Sequence, residues 1–85
     1  MTKKEKTCAQ IADRVSAYRR THGRNSLQRI YISKPLYRFI AGQKWESVPK
    51  ERKPTLFGIE VKAFDSDKME YSFAGATYQT EEVKT

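Results

Sequence analysis

The stretch that most constrains this chain is "TLFGIEVKAFDSDKMEYSFAG", residues 55–75. Apolar residues recur every second position in two runs, and side chains of a strand point alternately to opposite faces. Phe57, Ile59, Val61 and Ala63 therefore share one face of the first run, and Met69, Tyr71 and Phe73 share one face of the second. "DSDK" between the runs has the residues of a turn. The expectation is one strand over 55–64, a return strand over 69–75, and an antiparallel hairpin joining them. Gly58 inside the first run predicts a bulge or the close approach of another backbone.

Residues 2–22 change period. Cys8, Ile11, Ala12, Val15 and Tyr18, flanked by Arg19, follow helical spacing and form one apolar stripe. Two capping boxes are available, Thr2 with Glu5 and Thr7 with Gln10. The helix is expected to stop at His22, with Gly23 taking the left-handed conformation. "RIYIS" predicts a strand, with Ile30 and Ile32 on one face and Arg29, Tyr31 and Ser33 on the other. "SKPLYRFIAG" predicts a short second helix with Ser33 as N-cap, Pro35 in its first turn and Leu36, Phe39 and Ile40 inward. Residues 44–54 form a polar connection holding Pro49 and Pro54.

The predicted order is α–β–α–β–β. The class is α+β, two-layered, with a three-stranded sheet and both helices on one face. The first and second strands would be parallel neighbours joined by a short crossover. Arg29, Tyr31, Glu60, Lys62, Glu70 and Ser72 would lie on the open face. Residues 1–78 are expected to form a single small domain, and residues 79–85 a fraying tail.

Several chemistries are disfavoured. A structural zinc site needs four ligands, and the chain has one cysteine and one histidine. Cys8 and His22 lie about 21 Å apart along one helix, too far for a nucleophile pair. The four glycines are too scattered for a phosphate loop. The expectation is no enzyme, no metal and no cofactor. No apolar run suggests a leader or a membrane span, so no membrane partner and a cytoplasmic location are expected.

Charge supplies the positive evidence. Residues 1–53 hold 14 Lys/Arg against 4 Asp/Glu, and residues 54–85 hold 3 against 6. Such asymmetry suggests a polyanionic partner. The basic lobe would gather Arg14, Arg20, Arg24 and Arg29 with Lys44, Lys50, Arg52 and Lys53. Arg19, Arg20 and His22 complement the negative end of the first helix, whereas Arg24 and Arg29 lie beyond it. Tyr31 and Trp45 could stack bases, although for Trp45 a lid packed over the small core is the favoured reading, since large aromatics are usually well buried. The candidate binding residues are Arg24, Arg29, Tyr31, Lys44, Trp45, Lys50, Arg52 and Lys53. The partner is nucleic acid or an acidic protein. A sheet edge could also take up a partner strand.

"RIYISKPLYRFI", "PTLFGIEVKAFDSD" and "YSFAGATY", within residues 29–78, resemble a pattern of tailed-phage major capsid proteins. The resemblance implies a phage or prophage origin and a compact α+β unit like part of the capsid peripheral domain. "IEV" and "DSDK" depart from that pattern, and no functional residue is carried over by it. On this basis the chain reads as a small phage-type accessory protein acting in the host cytoplasm. It would be either a nucleic-acid binder, or a virion component or inhibitor of a host protein.

Overall fold

A computed structural model describes residues 2–80. Helix α1 runs Lys3–His22, strand β1 Arg29–Ser33 and helix α2 Lys34–Ala41. A 3-10 turn at Trp45–Ser47 comes next. Strands β2 (Thr55–Leu56), β3 (Ile59–Phe64), β4 (Glu70–Phe73) and β5 (Ala76–Gln79) complete the order. The class is α+β, as expected, but the sheet has five strands in the order β2-β3-β1-β4-β5.

Two differences from the expected sheet come from turns. "TLFGIEV" is not one strand: the chain reverses at Phe57 (φ 54°) and Gly58 (φ 76°), and Leu56 pairs with Ile59. Both central residues have positive φ, as a two-residue type I′ hairpin turn requires. Gly58 is thus a turn residue and not a bulge. Phe57 is exposed at the tip, and Leu56 is folded back against the core. Ala74 (φ 53°) and Gly75 (φ 81°) make the same reversal, so "ATYQ" returns along β4 as β5. Gln79, expected to fray, ends β5. Thr80 is buried, with its N–H and hydroxyl both donating to the Met69 carbonyl at 3.0 and 2.9 Å. The rest of the expected tail, residues 81–85, lies outside the described residues.

A third difference is topological. β3 and β4 do not form a hairpin with each other. β1 lies between them, parallel to β3 with Ile30 opposite Val61, and antiparallel to β4 with Ile32 opposite Tyr71. That register puts Ile30, Ile32, Ile59, Val61, Tyr71 and Phe73 on one face, all 3% exposed or less. Ile11 and Val15 of α1, Leu36 and Tyr37 of α2, and Leu27 close over them.

The helices divide the sheet between them. α1 lies toward β4 and β5, with Tyr18 edge-on to Phe73 at 5.8 Å and the Arg14 guanidinium 4.2 Å above the Tyr78 ring. α2 packs on β1 and β3. Thr2 caps α1, its hydroxyl accepting from Glu5 N–H at 3.1 Å, whereas Thr7 of the alternative box is buried within the helix. α1 stops at Gly23, whose φ of 108° is positive, as glycine allows, while its ψ of 156° lies outside the left-handed helical region.

Ser33 caps α2, accepting from Leu36 N–H at 3.3 Å, and also accepts from Glu70 N–H at 3.1 Å. It is fully buried rather than on the open face, because the chain turns into α2 there. Tyr37, outside the predicted stripe, is buried because Trp45 packs edge-on against it at 5.1 Å.

No helix among the described residues is long and apolar enough to cross a membrane.

Candidate nucleic-acid interface

After α2 the chain turns back along the sheet margin toward β2, placing residues 44–54 beside β3. Val61 N–H donates to the Pro54 carbonyl at 3.0 Å, which ties this connection to the strand. Trp45 is half-buried against the core, so part of its ring serves as the expected lid. The rest of the ring divides two hollows. One, of about 630 Å³, is lined by Lys34, Pro35, Arg38, Lys44, Glu46 and Ser66. The other, of about 210 Å³, is lined chiefly by Lys50, Arg52, Lys53, Glu60 and Lys62.

The two hollows differ in how their charges are spent. In the larger, the Lys34 ammonium lies 2.8 Å from Asp65 and 3.2 Å from Glu46. The Asp65 and then the Glu46 carboxylate raise the Lys34 ammonium above its usual range. Glu46 is held below its usual range by its own backbone N–H and then by Lys34. In the smaller hollow, Lys50, Arg52, Lys53 and Lys62 have no ion-pair partner among the described residues. Four cations, unpaired among the described residues, thus line this hollow together with one carboxylate, Glu60.

Glu60 connects this hollow to the open face. Its carboxylate accepts from Arg29 Nε at 3.0 Å, and this bond first, then the surrounding Arg29, Lys62 and Lys53 charges, hold it below the ordinary carboxyl range. The Tyr31 hydroxyl and the Glu60 carboxylate hold Arg29 more firmly protonated. Tyr31 stands directly opposite Lys62 on β3 and Ser72 on β4, and keeps 42% of its surface exposed.

Of the residues expected to bind, Trp45, Lys50, Arg52 and Lys53 share the smaller hollow. Arg29 joins it through Glu60, and Lys44 lies across Trp45 in the larger hollow. Tyr31 is reached from it through Lys62. Arg24 is exposed in the turn after α1, and no hydrogen bond or ion pair among the described residues joins it to residues 44–54. Arg14 does not converge with them. It covers Tyr78 on β5, separated from β2 by the whole sheet, about 19 Å at 4.8 Å per strand. Arg20 stays exposed in the last turn of α1.

Lys62 is the addition. It carries no binding signal in the sequence, because only the β1–β3 register places it beside Tyr31 and the 50–53 segment. Among the described residues no three His, Cys, Asp or Glu side chains gather as metal ligands would. No protein-family model, curated protein or solved structure matches the chain.

Proposed function

We propose that this is a small, non-enzymatic binding protein that docks onto a polyanion, most simply nucleic acid, through the margin of β3. The phage or prophage origin implied by the capsid-like segments, and action in the host cytoplasm, belong to the same proposal. The observation that carries it is the convergence of Lys50, Arg52, Lys53 and Lys62, unpaired among the described residues, with Trp45 at one hollow. Cations left without carboxylates hold only mobile counterions, and a phosphate backbone that displaces them gains by releasing its own.

Salt dependence tests the reading. Each phosphate contact contributes roughly 0.7 to the log–log slope of affinity against salt for a single strand, and roughly 0.9 for a duplex. Four contacts give a slope of about −3. Replacing Lys50, Arg52 and Lys53 together by alanine should remove about 2 of it. No binding to any oligonucleotide at about 50 mM salt, where such contacts are strong, would sink the proposal.

A second reading has its own observation. β5 is an edge strand whose four residues, Ala76–Gln79, carry no charge or proline and pair without a bulge. Edges are usually blunted by such devices. Bare among the described residues, this edge suits a partner strand, and a nuclease-treated pull-down lost on Thr77→Pro would support a protein-interaction module instead.

A further inference from the structure

Across the open face the register aligns Lys62 of β3, Tyr31 of β1, Ser72 of β4 and Thr77 of β5 in a single row. The row spans four strands, about 14 Å at 4.8 Å per strand. It begins at the basic hollow, which Lys62 also lines. It holds one cation, one phenol ring, two aliphatic hydroxyls and no carboxylate. The carboxylates of this face, Glu60 and Glu70, fall in the rows on either side.

Tyr31 is the one aromatic residue of that row, and it sits in the middle strand of the open face with 42% of its surface exposed. Cations flank it: Lys62 lies directly opposite on β3, and Arg29, two residues away on the same face, is fixed by Glu60 at 3.0 Å. An uncovered ring beside cations is a stacking platform. Duplex bases are already stacked on one another and present only their edges in the grooves, so they cannot reach such a ring. Unpaired bases can.

We infer that the partner is a single-stranded nucleic acid that crosses the sheet along the Lys62–Tyr31–Ser72–Thr77 row with one base stacked on Tyr31. This rests on the polyanion reading of the β3 margin and narrows it. The hollow takes the backbone through Lys50, Arg52, Lys53 and Lys62. The next base lies on Tyr31, and Ser72 and Thr77 offer hydroxyls to the succeeding nucleotides. A base–ring contact tolerates any sequence, because every base has a π-face.

The test uses fluorescence anisotropy with the full chain at about 50 mM salt, where phosphate contacts are strong. The probes are a labelled oligothymidylate of about 12 nucleotides, within the usual site size of single-strand binders, and a duplex of the same length. The variants are Tyr31→Leu, which keeps apolar bulk without a π-face, and Tyr31→Phe, which keeps the ring. Circular dichroism confirms that each is folded. Tyr31→Leu should weaken single-strand binding roughly tenfold, the value of one stacked base, and leave the duplex unchanged. Tyr31→Phe should bind the single strand like the parent. If Tyr31→Leu binds the single strand as the parent does, or the parent prefers the duplex, the inference fails while the polyanion reading stands. If neither probe binds, that reading fails as well and the surface is left to an acidic protein.

Discussion

Ser33→Ala perturbs the position where sheet and helix are fastened together. One hydroxyl oxygen serves two backbone donors, Leu36 N–H in the first turn of α2 and Glu70 N–H at the start of β4, and the residue has no exposed surface. Alanine removes the acceptor without adding volume. Loss of a helix cap costs about 1 kcal/mol. The Glu70 N–H is then left in a part-buried site with no other acceptor in place, and a stranded buried donor costs about 1–3 kcal/mol. The sum is about 2–4 kcal/mol, against about 4–13 kcal/mol for a domain of 85 residues. The midpoint of thermal unfolding should fall by about 10–25 °C, followed by far-ultraviolet circular dichroism.

Thr2→Ala is the control. Thr2 caps α1 in the same way but is exposed and accepts from Glu5 N–H alone, so its loss should cost about 1 kcal/mol or less. The difference between the two variants isolates the second donor. If Ser33→Ala lowers stability no more than Thr2→Ala does, the proposed double role of Ser33 is wrong.

Glu60→Gln should tighten nucleic-acid binding, because it removes a carboxylate from the basic hollow and frees Arg29 for phosphate; weaker binding would show that the pair is needed to position Arg29. Its pH dependence has a defined sign. Glu60 is held below its unfolded value by Arg29, so its contribution to stability is complete above the ordinary glutamate range and is lost as pH falls through the lowered folded value. The acid limb of a melting-temperature profile should therefore be shallower in Glu60→Gln than in the parent. Phe57→Asn should raise stability by about 1 kcal/mol, because asparagine accepts a left-handed φ ahead of glycine at lower cost than an exposed phenylalanine; a lower melting temperature would mean that the ring contributes packing. Thr77→Glu places a carboxylate at the far end of the open-face row and should weaken single-strand binding in the anisotropy titration; unchanged affinity would confine the nucleic acid to the hollow.

Elements whose signals are local are legible in the sequence. α1 and α2 show in their caps, Thr2 and Ser33, and in apolar spacing. β1, β3 and β4 show in alternation. β2 is hidden because Leu56 and Ile59, on either side of a tight turn, look like positions in one continuous strand. β5 is hidden because "ATYQ" comes after a glycine and carries a weak apolar pattern. The parallel pairing of β1 with β3 is legible from the strand–helix–strand unit, but the insertion of β1 between β3 and β4 is not, since nothing in β4 marks that it will take β1 rather than β3 as its neighbour. The same holds for the site. Lys50, Arg52 and Lys53 are close in sequence and stand out as a group, whereas Lys62 needs the register. Arg14 does not belong with them, because charge along a sequence does not say on which side of a sheet it falls. Arg24 stays apart for the same reason.

The position of β1 also sets an order of assembly. It is made before both of its neighbours, and each of its ladders joins it to residues synthesised later, Arg29 to Glu60 and Tyr31 to Ser72. The tight hairpins β2–β3 and β4–β5 can close within microseconds of leaving a ribosome, since their loops are two residues long. Ile30 and Ile32 have no sheet partner until then. During synthesis β1 therefore waits first for β3 and then for β4, and its two ladders are completed only when residues 70–73 have emerged.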